Sequence, residues 1–158
     1  QVIIFLILLV ISFILLHLTK YGRKIFLIGV NRNTAEYSGI KTARLVMSTY
    51  VLSGIAASIA GILLTSYLGT AKPDFGADLT LPIITAVVLG GTSIYGGKGN
   101  VIGTGLAALI IGFMKFGLTL IGINAQYQDI PVGILLIVSL IINFMINSNV
   151  FQNLKRKK

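Results

Sequence analysis

Lys115 is the only charged residue well inside an apolar segment of this chain. Thr104, Ala108, Gly112, Lys115 and Thr119 follow one another at steps of four, four, three and four, so a helix would carry them on one small, polar face. An ionisable group in hydrocarbon is costly unless it faces a bundle interior or a water-filled path. Lys115, Thr104 and Thr119 are therefore candidates for the lining of such a path. Snorkelling is the competing reading, because Lys115 lies about 9 Å along a helix from the segment's end near Ile121. No apolar segment holds an acid to pair with it, and Asp129 in the following loop is the nearest in sequence. Ser139, Asn143 and Asn147 make a second polar stripe at steps of four. Hydrogen bonding between helices is its default role, and Asn143 joins the candidate path.

Other chemistry is scarce. The run LGGTSIYGGKGN holds Gly90, Gly91, Gly96, Gly97 and Gly99 and includes a Gly97-Lys98 pair. A phosphate loop needs glycine, four residues, then Gly-Lys-Ser/Thr. Thr92 occupies the first glycine position and Gly99 the hydroxyl position, so the pattern fails twice. The glycines instead predict positive-φ turns and close backbone contact. With no cysteine, one histidine and four acids, the chain excludes disulfides, thiolate sites and a His/carboxylate metal cluster. No residue takes a catalytic role, and His17 reads as interfacial.

The elements that must position these residues follow from composition. The chain has 158 residues, 55% hydrophobic and 11% charged, with mean hydropathy +0.93. Those values belong to polytopic membrane proteins, and the 18 glycines suit closely packed helices. The reading is an all-α transmembrane bundle of about five spans: 2–18, 45–68, 79–94, 101–123 and 130–146. The third carries Pro82 near its start and glycines at its end, which predicts a short helix with an unwound end, internal to the bundle. Small residues at Ser53, Ala57 and Gly61 predict close helix crossing. The net charge of +9 would suggest nucleic acid in a soluble protein. Here the cations cluster between Lys20 and Arg44, at Lys98 and in the tail Lys155–Lys158, whereas Asp74, Asp78 and Asp129 lie in the other loops. That is a positive-inside pattern with the C-terminus cytoplasmic, the tail anchoring on anionic lipid and no nucleic-acid partner. The chain opens on Gln1 and is apolar from Val2, which reads as a piece of a longer protein.

The basic segment 19–44 reads as a structured cytoplasmic loop. Asn33-Thr34-Ala35-Glu36 has capping-box spacing, and Gly39 suits the left-handed position that ends a helix. A helix over 34–38 is too short to hold in water alone, so docking must stabilise it.

With these residues in view, the run GRKIFLIGVNRNTAEYSGI resembles the cytoplasmic loop of permease subunits of ABC importers for ribose and other simple sugars. Gly22, Arg23, Gly29, Asn31, Thr34, Ala35, Ser38, Gly39 and Ile40 carry the resemblance there. Gly90-Gly91-Thr92-Ser93, Gly96-Gly97-x-Gly99, Tyr127-Gln128 and Gly133 extend it downstream. It covers almost the whole chain and corresponds to the C-terminal part of such a permease, a single domain over 1–158 with a cytoplasmic tail at 148–158.

The resemblance implies that Arg32, Asn33, Thr34, Ala35, Glu36, Tyr37, Ser38 and Gly39 form the element that docks into an ATPase subunit. It implies a second permease subunit, identical or not, an extracytoplasmic solute-binding protein, and a place in the cell membrane. The chain itself would bind no cofactor; ATP and magnesium would belong to the partner ATPase. Related permeases often carry Asn at Lys115, and a cation there would favour a more polar or anionic solute. The alternatives are a branched-chain amino-acid permease of the same fold and an ion-coupled transporter fragment.

Overall fold

A computed structural model describes residues 2–71, 76 and 78–147, and within them every regular element is a helix. The basic tail, Asp74 and the side chain of Asn147 lie outside the described residues. The helices are α1 (Val2–Phe13), α2 (Lys20–Val30), α3 (Arg32–Tyr37), α4 (Thr42–Leu68), α5 (Thr80–Leu89), α6 (Val101–Leu120) and α7 (Ala125–Asn147). They fall into two compact units: α1 to α4 with Tyr95–Gly97, and Gly76–Ile94 with Lys98 onward.

The all-α expectation holds, with fewer full-length spans than five among the described residues. Three helices, Thr42–Leu68, Val101–Leu120 and Gln126–Met145, are long and apolar enough to cross a membrane. The run Val2–Leu18 qualifies only together with Lys20–Val30, across a 69° bend. The third predicted span is a correction: α5 has ten residues, about 15 Å, half the hydrocarbon thickness. Its end is dictated locally. Gly91 takes φ +90, the Thr92 N–H reaches the Val87 carbonyl and the Gly91 N–H reaches that of Val88. This double closure satisfies the terminal carbonyls and stops the helix.

In the first unit, α1 continues into a π-turn, Ile14–Leu18, before the bend. Thr19 fastens the corner: its hydroxyl accepts from the Gly22 N–H at 3.3 Å and donates to the Leu15 carbonyl. The His17 ring stacks on Phe13 at 4.9 Å and meets Phe26 edge-on at 6.0 Å, bridging both arms of the corner. Segment 19–44 is therefore mostly helix, because α2 shields Ile25, Phe26 and Ile28 while Arg23 and Lys24 stay exposed. Tyr21 Oη and Ser48 Oγ, 2.6 Å apart, tie α2 to α4. At 27 residues α4 is about 40 Å long, and Thr42 is its only buried residue among those described.

In the second unit α5 packs against both α6 and α7, as its predicted interior position requires. Ala86, Ala107, Ile111 and Val132 form the core, with Leu89 and Met114 against it. The contact is close because glycine faces backbone. A Cβ on Gly90 would overlap the backbone of Gly103 and Thr104, and one on Gly103 would overlap the Gly90 carbonyl. The Asn100 side chain caps α6, accepting from the Gly103 N–H at 3.2 Å.

The predicted cap of the short loop helix is also corrected. Asn31, not Asn33, is the N-cap of α3: its side-chain oxygen accepts from the Thr34 N–H at 3.2 Å. Glu36 does not return to Asn33; its carboxylate is held by Arg32 and Thr42. The helix starts two residues earlier because Asn31 is extended (φ −158) and already turned out of α2. Asn31→Ala should destabilise this helix by about 1 kcal/mol, whereas Asn33→Ala should leave it within a few tenths. Amide exchange across 31–38 distinguishes the two, and equal loss in both variants would reject the assignment.

Candidate functional site

The first candidate is α3 and its clip. Ala35 is buried at 4% exposure and anchors the helix, while Tyr37 projects at 92% and Asn33 is exposed. Arg32 Nε donates to Glu36 Oε1 at 3.3 Å, and the Thr42 hydroxyl donates to the same oxygen. The Ser38 hydroxyl donates to the Thr34 carbonyl at 2.9 Å. Gly39 takes φ +76, with its N–H on the Glu36 carbonyl and the Ile40 N–H on that of Ala35. The predicted left-handed end is therefore present. Thr42, absent from the sequence reading, completes the clip by joining α3 to the first residue of α4.

The Thr42 hydroxyl, and then Arg32, hold the Glu36 carboxyl below the usual glutamate range. A carboxyl lowered in the folded state stabilises that state above its unfolded pKa. That contribution disappears as pH falls through the folded value. Acidification through the carboxylate range should therefore release α3 from α4, read as faster amide exchange over 34–40, and Glu36→Gln should abolish the pH step. A pH step unchanged in Glu36→Gln would remove Glu36 as its source.

The second candidate joins α6 to α7. Lys115 Nζ donates to Asp129 Oδ1 at 2.8 Å, with the side chains 27% and 44% exposed. Asp129 lies within the first turns of α7, not in a loop, which is how it reaches Lys115. Gln128, buried at 7% exposure, donates to Thr119 Oγ1 at 3.1 Å and to the Ile123 carbonyl at 3.0 Å. Lys115 and Thr119 thus belong to one polar cluster, together with Asp129 and Gln128. Thr104 stands apart at the other end of α6, its hydroxyl on the Asn100 carbonyl. Asn143 also stands apart, donating to the Thr92 carbonyl at 3.2 Å beyond the end of α5. Ser139 is buried and bonds within its own helix, to Leu136. The four candidate path residues therefore occupy three places. Asp129 also offsets the Lys115 charge, so a bias toward anions no longer follows from that residue.

The third is the glycine run. Gly91, Gly96 and Gly97 have positive φ; Gly90 is close-packed on α6, and Gly99 lies just before the α6 cap. The Ser93 N–H donates to the Lys98 carbonyl at 3.0 Å and closes the loop. No group of three or more His, Asp or Glu side chains among the described residues is placed to hold a metal.

Residues 1–140 match the family described as "Branched-chain amino acid transport system / permease component". The chain belongs to this permease family. Among curated permeases, the Autoinducer 2 import system permease protein LsrD of Photorhabdus temperata is 47% identical over 137 residues, covering 87% of this chain and 41% of the relative. The protein of the same name from Yersinia enterocolitica is 45% identical over 135 residues, covering 85% and 41%. That from Escherichia coli (strain K12 / DH10B) is 46% identical over 136 residues, covering 86% and 41%. The chain thus spans about two fifths of the length of these permeases. No solved structure matches it. The likeness to simple-sugar-type ABC importer permeases, carried by the loop and glycine motifs, is borne out. Those motif residues now have physical roles: Asn31 caps, Ala35 anchors, Gly39 terminates and Gly90 permits the crossing of α5 and α6.

Proposed function

We propose that the full-length protein is a multi-pass permease subunit of an ABC importer in the cell membrane, moving a sugar or sugar-like solute inward by alternating access. The observation that carries this is identity of 45–47% over most of the chain to permeases named for autoinducer 2 import. The family description names branched-chain amino acids, but identity at that level weighs more than a description spanning a broad family. The permease works as a dimer, identical or mixed, with an ATPase pair that binds ATP and magnesium and a solute-binding protein on the outer face. Arg32 to Gly39 meet the ATPase on the cytoplasmic side, where the C-terminus also lies. Lys115, Thr104, Thr119 and Asn143 border the path at different depths, and the neutral Lys115–Asp129 pair suits an uncharged solute.

The test is uptake by cells expressing the full-length permease with its ATPase and binding protein. Autoinducer 2 is the first solute to offer, ribose the second and leucine the third. ATP-dependent uptake of either of the first two is expected. Uptake of leucine alone would establish the amino-acid reading, and uptake abolished by a protonophore with ATP maintained would establish ion coupling.

A further inference from the structure

We infer that Gly29 on α2 and Gly96-Gly97 in the glycine loop form a rigid backbone seat, so that α2, α3 and the loop tip move as one piece. The inference rests on α3 being the ATPase contact. Its observations are independent of that reading.

The contact is backbone against backbone from both sides. A Cβ on Gly29 would lie 2.5 Å from the Gly97 nitrogen, and one on Gly96 would lie 2.5 Å from the Gly29 oxygen. A Cβ on Gly97 would lie 2.6 Å from Val30 Cγ2. Gly96 and Gly97 hold φ +89 and +74, a pair of conformations that other residues adopt rarely. Apart from the exposed Val30 side chain the fit is backbone on backbone, so little can rearrange in place, and close contacts of this kind shift between discrete arrangements instead of deforming smoothly.

The connection to α3 has no slack either. Asn31 is the sole residue between α2 and α3. Its N–H donates to the Leu27 carbonyl at 3.2 Å, its carbonyl accepts from the Ala35 N–H at 3.1 Å, and its side chain caps Thr34. A six-residue helix cannot act as a lever by itself, but α3 and the eleven residues of α2 joined through a fully bonded corner can. The Tyr21–Ser48 bond holds the far end of that arm. Displacement of α3 is thereby delivered to Gly96-Gly97, the tip of the loop whose chain continues into α6.

These 158 residues hold no cysteine, so with any cysteine elsewhere in the full-length permease replaced by serine, a direct test is open in proteoliposomes containing it and its ATPase. The Val30→Cys, Gly97→Cys pair brings Cβ atoms into disulfide range. The oxidised variant should transport within two-fold of the same variant reduced. Oxidation that stops transport means the contact must open in each cycle and overturns the proposal. Gly29→Val, which wedges the seat apart, should keep ATP hydrolysis but lower solute moved per ATP at least ten-fold; an unchanged ratio also overturns it. Amide exchange on the unmodified complex covers variants that fail to fold: residues 29–30 and 96–97 should keep equal protection with and without nucleotide, and unequal loss refutes a rigid seat. A wild-type complex without solute-coupled hydrolysis would instead defeat the assignment of α3 to the ATPase, while the exchange result would still report on the seat.

Discussion

Gly90→Val is expected to leave little folded permease. The new Cβ would enter the space of the Thr104 Cα and nitrogen and the Gly103 carbonyl carbon, all of them backbone. Overpacking costs about 1–3 kcal/mol when side chains can give way, and more when a helix backbone must move. The position also lies at the closure of α5, so displacement would disturb the hydrogen bonds from Gly91 and Thr92 as well. Gly112→Ala supplies the contrast. It lies inside α6 with nothing within 4 Å of its added Cβ, and replacing a mid-helix glycine there should gain about 0.5–1 kcal/mol. Heating the purified full-length variants and following the monodisperse fraction by size exclusion reads both effects. Wild-type thermal stability in Gly90→Val would mean that α5 and α6 do not cross where described.

Reversing both charges of the α6–α7 pair should rescue what reversing one destroys. The Lys115–Asp129 pair is partly exposed, so its own attraction is small after screening. The larger penalty arises when a single reversal leaves two like charges facing each other near hydrocarbon, each unpaired ion costing of order 2–3 kcal/mol on insertion scales. Lys115→Asp or Asp129→Lys alone should therefore reduce uptake by more than about ten-fold, through assembly or gating. The double exchange, with a pair again formed, should return uptake to within a few-fold and keep the apparent KM. A double exchange that folds normally but does not transport would show that Lys115 itself, and not the neutrality of the pair, is what the solute requires.

The sequence displayed the fold class openly because every long helix is apolar beyond what a soluble protein carries. It displayed the ends of α3 and α5 for a different reason: Gly39 and Gly91 occupy a backbone region that glycine tolerates best. What it concealed depended on direction. Asn31 and Asn33 are both plausible caps, and only the turn out of α2 decides between them. The spacing of Asn33 and Glu36 suggested a reciprocal box, yet Glu36 was taken by Thr42, six residues on. Segment 79–94 is apolar enough to suggest a span, and although its terminal glycines point to a short helix with an unwound end, hydropathy does not register that ten residues fall short of crossing. Among the candidate path residues, periodicity on α6 aligned Thr104 with Lys115, while capping and the start of α7 assigned them to separate ends.

The π-turn between α1 and α2 also sets an azimuth. It holds about one residue more than an α-turn, and each α-helical residue advances the winding by about 100°. Removing one residue between Ile14 and Leu18 would rotate everything downstream about the axis of α1 by that angle and, because of the 69° bend, point α2 in a new direction. Tyr21 would then turn away from Ser48, and Gly29 away from Gly97. The turn therefore acts as a phase-setter: its residue count, more than its chemistry, aims both contacts of α2 at their partners.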